Sequence, residues 1–335
     1  MPTRLCIDGQ WTEAGGGTLP TRDPATGRVL DEVGTASRAD VDAAVAAARR
    51  ALTAPEWAGL TPVRRAALLF RLADLVDEHH EELARLETLD QGQPIGVSRQ
   101  VSVTGTAEHL RYFAGWVTKL QGTTNPVSFP DTLHYTRREP VGVNALITPW
   151  NFPLAMLTRK LGAALAAGCP TLLKPAEQTP LTAALLTEVL DGLGLPAGAV
   201  NLLTTTRAPE LSAALMADDR LRKVSFTGST AVGSALIRQS ADHVQRTSME
   251  LGGNAPFLVF EDADLDAALD GAMLAKFRNG GESCVAANRF VVHRAVAEEF
   301  TARFTERVRN LKPGNGFDPG STLGPLSDAR QRDKV

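Results

Sequence analysis

Cysteine is scarce in this 335-residue chain: there are three, Cys6, Cys169 and Cys284. So low and odd a count excludes a disulfide framework and points to reduced thiols in a cytoplasmic compartment. Runs of like charge are missing too. No basic stretch exceeds two residues and the net charge is -3, so nothing here offers a footprint for nucleic acid or for an anionic membrane surface. Long apolar runs are also absent. The longest, Leu161 to Leu173, is interrupted by Gly168 and Pro170, and the N-terminal MPTRLCIDGQW has no apolar segment, so neither a membrane span nor an export signal is expected. Repeats and low-complexity tracts are lacking, although Gly15, Gly16 and Gly17 mark an early loop. What is present, 43% hydrophobic and 22% charged residues, suits a globular protein. Its length calls for more than one core.

Apolar residues recur at helical spacing from Asp40 to Leu52 and from Thr61 to Leu89, the second opening on Thr61 as cap and Pro62 in the first turn. After Asn144 short apolar runs (ALITPW, TLLKP, VNLLTT, KVSFTG) alternate with helical stretches at Pro153 to Ala167, Pro180 to Leu193, Ala208 to Met216 and Ala231 to Gln239. That alternation predicts an α/β fold with a Rossmann-like parallel sheet covered on both faces. The polar, proline-bounded stretch VSFPDTLHYTRREPV reads as a hairpin standing off the sheet. Past Gly253 a second unit begins: PFLVF, a helix from Asp264 to Arg278, the strand RFVVH and a helix from Val296 to Leu311. So few strands leave a face uncovered, and this unit is expected to be incomplete. The predicted division is a cofactor domain of residues 1–126 and 142–253, a bridging or oligomerisation hairpin at 127–141, and a truncated catalytic domain at 254–335.

One cysteine has a setting that suggests chemistry. Cys284, in NGGESCVAANR, follows two glycines in a turn between a helix and a strand. An isolated cysteine is usually a small buried hydrophobe. A thiol on such a junction instead faces a cleft, and to attack a carbonyl it needs a thiolate, an oxyanion donor and a base. The remaining pieces stand in order: TPWNFP at 148–153, LLKPAEQTP at 172–180, SFTGST at 225–230 and MELGGNAPF at 249–257. With NGGESC, these five motifs resemble the aldehyde dehydrogenase superfamily in content, order and spacing, over nearly the whole chain from IDGQW through STLGPL. The subfamily most resembled is succinate-semialdehyde dehydrogenase.

The resemblance implies roles. Cys284 is the nucleophile, Asn151 and the Cys284 amide hold the oxyanion, and Glu250 is the general base that activates water against the thioester. On the cofactor side it implies Trp150, then Lys174 and Glu177 at the adenosine ribose. Gly228, Ser229 and Gly233 fall at a strand-to-helix turn that meets the pyrophosphate. A carboxylate at Glu177 repels a 2′-phosphate, so NAD is expected, with NADP the alternative. Arg159 and Arg278 match two arginines aimed at the distal carboxylate of an acid-bearing aldehyde, a task suited to guanidinium groups. The opposing reading makes them helix-surface partners in salt bridges, as in a broad-specificity oxidiser.

Some departures matter. Position 286 is alanine where several members of that subfamily carry a second cysteine, so a redox switch is not expected. Glu282 replaces the family's usual glutamine and sets a negative charge near Cys284 that opposes thiolate formation unless it points away. The family's second glutamate and its oligomerising strand lie past Val335. A homo-oligomer is therefore expected of the full-length family rather than of this chain, and the rival to catalysis is a remnant that binds nucleotide or a full-length relative without turnover. Two further clusters carry no chemistry. His79 and His80, about 100° apart on one helix, form a solvated face rather than a metal site, and the acidic EDADLD is a helix N-terminus.

Overall fold

The computed structural model describes residues 4–335; residues 1–3, the start of the stretch read for an export signal, lie outside the described residues. The strands in chain order are β1 Arg4–Ile7, β2 Gln10–Glu13, β3 Thr18–Arg22, β4 Val29–Gly34, β5 Thr124–Asn125, β6 His134–Tyr135, β7 Val143–Ile147, β8 Thr171–Lys174, β9 Val200–Leu202, β10 Leu221–Thr227, β11 Arg246–Glu250, β12 Ala255–Val259 and β13 Ala287–Val292. Among the described residues, seven of them form one sheet in the order β11-β10-β7-β8-β9-β1-β2. The five from β11 to β9 run parallel, and β1 and β2 close the edge antiparallel.

The centre of this sheet is buried on both faces, which is why its strands read as unbroken apolar runs. Side chains nevertheless alternate by layer. Leu146, Leu173 and Leu202 enter one core, and Ala145, Ile147, Leu172 and Leu203 enter the other. The first core is roofed by helices Pro62–Glu78, Thr104–Val117, Pro153–Ala166 and Leu181–Asp191, the second by Arg38–Thr53, Ala208–Met216 and Thr230–Ser240. Each fully buried leucine in these layers contributes about 1.5–3 kcal/mol. The fold is the expected α/β architecture with a parallel sheet.

Three local readings are corrected. The helix expected from Thr61 to Leu89 is two, Pro62–Glu78 and His80–Gln91, broken at His79 (φ -95°, ψ 17°). His79 and His80 are therefore half-buried connectors rather than one solvated face: His79 Nδ1 meets Glu82 and His80 Nε2 meets the Arg99 carbonyl, each at 3.0 Å. The N-terminal segment, not read as strand, forms the β1–β2 hairpin around Asp8 and Gly9 at φ 56° and 71°. β11 was also unread, because its RTSME side chains are mostly exposed on a sheet edge.

Residues 118–140 are all exposed and carry the short β5–β6 hairpin, whose first strand, Thr124–Asn125, falls before the 127–141 expected for it. β12 and β13 pair parallel across helix Leu265–Phe277, whose cap Asp264 accepts from the amides of Asp266 and Ala267. Val259, Leu269, Ala272 and Phe300 form a small core there, while Leu258, Leu274 and Val291 are more than half exposed. The last segment returns to the first unit, the Gly316 carbonyl accepting from the Ile95 amide at 2.9 Å and Pro325 packing on Gly92. No helix among the described residues is long and apolar enough to cross a membrane.

Candidate active site

The chain crosses from β7 into helix Pro153–Ala166 through residues 148–152, and Asn151 stands in that turn, half-buried. The Cys284 loop leaves helix Leu265–Phe277 through a turn in which Asn279, Gly280 and Gly281 take φ of 52°, 65° and 80°. Three successive left-handed residues account for the glycine pair, since only glycine adopts this region without cost. Two bonds fasten the turns together. Asn151 Nδ2 donates to the Glu282 carbonyl at 2.7 Å, and buried Asn279 Nδ2 donates to the Asn151 carbonyl at 2.6 Å. An amide nitrogen carries two hydrogens, so Asn151 keeps a second donor.

Cys284 is exposed, whereas Cys6 and Cys169 are buried. Burial pushes the Cys6 thiol up to about 11. The Cys284 carbonyl lies against Gly253, where a β-carbon would collide with it, so the ELGG loop passes Cys284 at backbone distance. Glu250 ends β11 three residues earlier, and its carbonyl accepts from the Gly228 amide at 3.1 Å. Glu250 lines a cleft of about 350 Å³ together with Arg159, Lys160, Ser225 and Ser248. Asn151 and Cys284 are thus brought together through their loops, while Glu250 faces a cleft whose lining does not include Cys284.

Lys160 was not singled out from the sequence. It is buried in that cleft with Nζ 3.0 Å from Ser225 Oγ, and burial lowers its pKa to about 8, partly opposed by the Glu250 charge and reinforced by Arg159. Its signal was position: Lys160 falls on the apolar stripe with Leu157, Leu161 and Ala164, where a lysine has no reason to be unless it has a partner. Gln91 and Asn279 were missed because neutral amides carry no pattern of their own.

The cofactor-side residues converge at the carboxyl ends of β7, β8 and β10. Lys174 ends β8, buried, with Nζ 3.5 Å from Glu177 Oε2; burial lowers its pKa and Glu177 opposes that. Trp150 is half-buried beside Asn151. Ser229 caps helix Thr230–Ser240, its side chain accepting from the Val232 amide at 3.4 Å. The Gly228 amide is spent on Glu250, and the Gly233 amide bonds to Ser229 inside the helix. A β-carbon on Gly233 would come within 2.5 Å of Leu251, so this glycine lets the helix approach the ELGG strand. The donors left free at this helix start are the first-turn amides of Thr230 and Ala231.

Arg159 and Arg278 are both exposed, and neither side chain makes a hydrogen bond or salt bridge among the described residues. Arg159 enters the Glu250 cleft from its helix, and Arg278 caps helix Leu265–Phe277 just before the cysteine turn. The Glu282 carboxyl is taken up by Gln91 Nε2 at 3.0 Å and the Ser327 amide at 3.3 Å.

Residues 11–335 match the model of the aldehyde dehydrogenase family. The chain belongs to that family. It is 43% identical over 330 residues to a glutarate-semialdehyde dehydrogenase of Pseudomonas putida, covering 98% of this chain and 68% of the relative. A succinate-semialdehyde dehydrogenase [NADP(+)] of Escherichia coli is 43% identical over 330 residues, with the same 98% and 68% covered. Among solved structures, the NAD+ complex of an aldehyde dehydrogenase from Bacillus cereus superposes with a TM-score of 0.96 at 44% identity, over 99% of this chain and 67% of that one. The chain spans about two thirds of the length of these aldehyde dehydrogenases.

Proposed function

We propose that this aldehyde dehydrogenase chain carries the machinery for oxidising an acid-bearing semialdehyde, of the succinate or glutarate kind, to the carboxylate through a cysteine thioester. The observation that carries the reading is an exposed thiol two residues from the carbonyl that anchors the Asn151 amide by one hydrogen, leaving that amide a second to give. Within it, residues 1–126 and 142–253 act as the cofactor unit, 127–141 as a bridging hairpin and 254–335 as the catalytic unit.

The Cys284 sulfur adds to the aldehyde carbon, and the oxygen that becomes negative is met by the spare Asn151 hydrogen and the Cys284 amide. A fixed donor of this kind costs no reorganisation when the charge develops. When bound, a nicotinamide dinucleotide supplies the acceptor for the hydride whose loss turns the hemithioacetal into a thioester. Lys174 and Glu177 fit such a group: a buried ammonium paired with a carboxylate suits two adjacent ribose hydroxyls, one accepting and both donating. The first turn of helix Thr230–Ser240 suits its phosphates. Glu250 then takes a proton from water so that the oxygen attacks the thioester and frees the acid. Lys160 lines the same cleft, and the Glu250 charge favours its cationic form.

Substrate choice rests on Arg159 and Arg278. Two exposed guanidinium groups without protein partners, one in the Glu250 cleft and one beside the cysteine turn, are suited to a carboxylate at the far end of the aldehyde. The named activities of two relatives, on glutarate and succinate semialdehyde, support the same class. Steady NADH or NADPH formation from an acid-bearing aldehyde by the purified chain tests the reading. Retained dinucleotide binding with no turnover would replace it with the non-catalytic alternative.

A further inference from the structure

We propose that Glu282 is a positioning residue whose carboxylate, clamped by Gln91 and Ser327, fixes the loop that presents Cys284 to the Asn151 amide. The inference rests on Cys284 being the reactive thiol. Glu282 joins three segments far apart in sequence. Its carbonyl takes the Asn151 amide at 2.7 Å, Oε2 takes Gln91 Nε2 at 3.0 Å, and Oε1 takes the Ser327 amide at 3.3 Å. Gln91 has no freedom to reverse, because its Oε1 already accepts the Gln93 amide at 2.9 Å and the residue is 1% exposed. In this chain, with Gln91 held so, both groups facing the Glu282 side chain are donors, which a carboxylate satisfies on both oxygens. Aspartate is too short to span both partners, and glutamine would set its NH2 against either Gln91 Nε2 or the Ser327 amide.

The clamp lies two residues from Cys284 in the chain, and both its oxygens are engaged by Gln91 and Ser327, so it shapes the loop rather than serving the reacting atoms. Burial pushes the Glu282 carboxyl up to about 7, with Asp328 adding to the rise and the Ser327 and Gln91 bonds opposing it. Asp328 is the charged group facing Glu282 here; Gln91, Ser327 and Asn151 carry none. A proton removes the charge that strengthens both bonds, so the clamp loosens as pH falls through that value.

The test is the rate at which iodoacetamide alkylates Cys284 in the full chain, followed across pH by mass of the Cys284 peptide; buried Cys6 and Cys169 leave this thiol as the accessible one. The wild-type profile is expected to show an inflection near 7 in addition to that of the thiol itself. Glu282→Gln should lose that inflection and slow alkylation at neutral pH by about tenfold, the scale of one charged hydrogen bond. The double variant Gln91→Glu with Glu282→Gln should restore the neutral-pH rate. There the carboxylate introduced at position 91 accepts from both the Gln93 amide and the NH2 introduced at position 282, whose oxygen is left to accept from Ser327. If E282Q follows the wild-type profile, or the double variant stays as slow as the single one, the proposal is wrong. Should E282Q melt too low to assay, recovery or no recovery in the double variant decides the matter. Alkylation needs neither aldehyde nor dinucleotide, so this outcome is read separately from the dehydrogenase assay.

Discussion

Replacing Asn151 by alanine separates catalysis from stability more cleanly than any other change in this site. The side chain holds the Glu282 carbonyl with one amide hydrogen at 2.7 Å and has a second to give to the oxyanion. Losing a single oxyanion donor costs about 10²–10³ in kcat, or roughly 2.7–4 kcal/mol of transition-state stabilisation. Losing the bond to Glu282 costs about 1 kcal/mol of folding stability. The Asn279 bond goes to the Asn151 main chain and survives the substitution, so the cysteine turn keeps its second anchor. The expectation is a fall of two to three orders of magnitude in kcat with a melting temperature lowered by only about 2–4 °C. Initial rates and a thermal melt on the same preparation measure both. A carboxylate at this position, Asn151→Asp, keeps the volume but turns an acceptor toward the Glu282 carbonyl, and should be slower still. If N151A retained kcat within about threefold of the parent, the assignment of Asn151 as an oxyanion donor would fail, since its side chain would not contribute on the scale expected of one.

Three other consequences follow from buried charge and from the arginines. Lys160 is lowered from 10.5 to about 8 by burial, so between those values the unfolded chain binds a proton that the folded chain lacks; stability should rise with pH across that window, and Lys160→Met should abolish the rise in denaturant titrations. Glu87 is raised from 4.5 to about 8 by burial, with Asp90 adding to it and the Ser102 bond opposing, so the folded chain holds a proton that the unfolded chain releases. Its contribution is present below about 4.5 and is lost as pH rises toward 8, and Glu87→Gln should flatten that decline in urea midpoints. Arg159→Ala and Arg278→Ala should each cut kcat/KM for an acid-bearing aldehyde by about 10- to 100-fold while leaving a neutral aldehyde of equal length unchanged; equal losses on both substrates would make the arginines structural.

Much of this architecture could be read from the sequence because its strongest signals are local. Buried parallel strands have to be apolar on both sides, so Val143–Ile147 and Thr171–Lys174 announced themselves, and Thr61-Pro62 fixed a helix start. What escaped depends on partners distant in sequence. β11 is polar because it forms a sheet edge, so Glu250 was placed by its motif rather than by any periodicity. The break at His79 has no proline or glycine to mark it. Lys160 was overshadowed by Arg159 beside it, although its place on the buried stripe distinguished it. The engagement of Glu282 by Gln91 depends on a contact 191 residues away that no spacing rule contains.

The central claim is a covalent bond at one sulfur. Glu250→Gln removes the base that activates water while leaving Asn151 and Cys284 in place, so the acyl group should remain on the protein. Mixing this variant with an acid-bearing aldehyde and the nicotinamide dinucleotide, quenching in acid and mapping the mass of the Cys284 peptide should show one acyl group per chain, appearing with one equivalent of reduced cofactor. Reduced cofactor formed while Cys284 stays unmodified, or undiminished turnover in Cys284→Ala, would contradict the account.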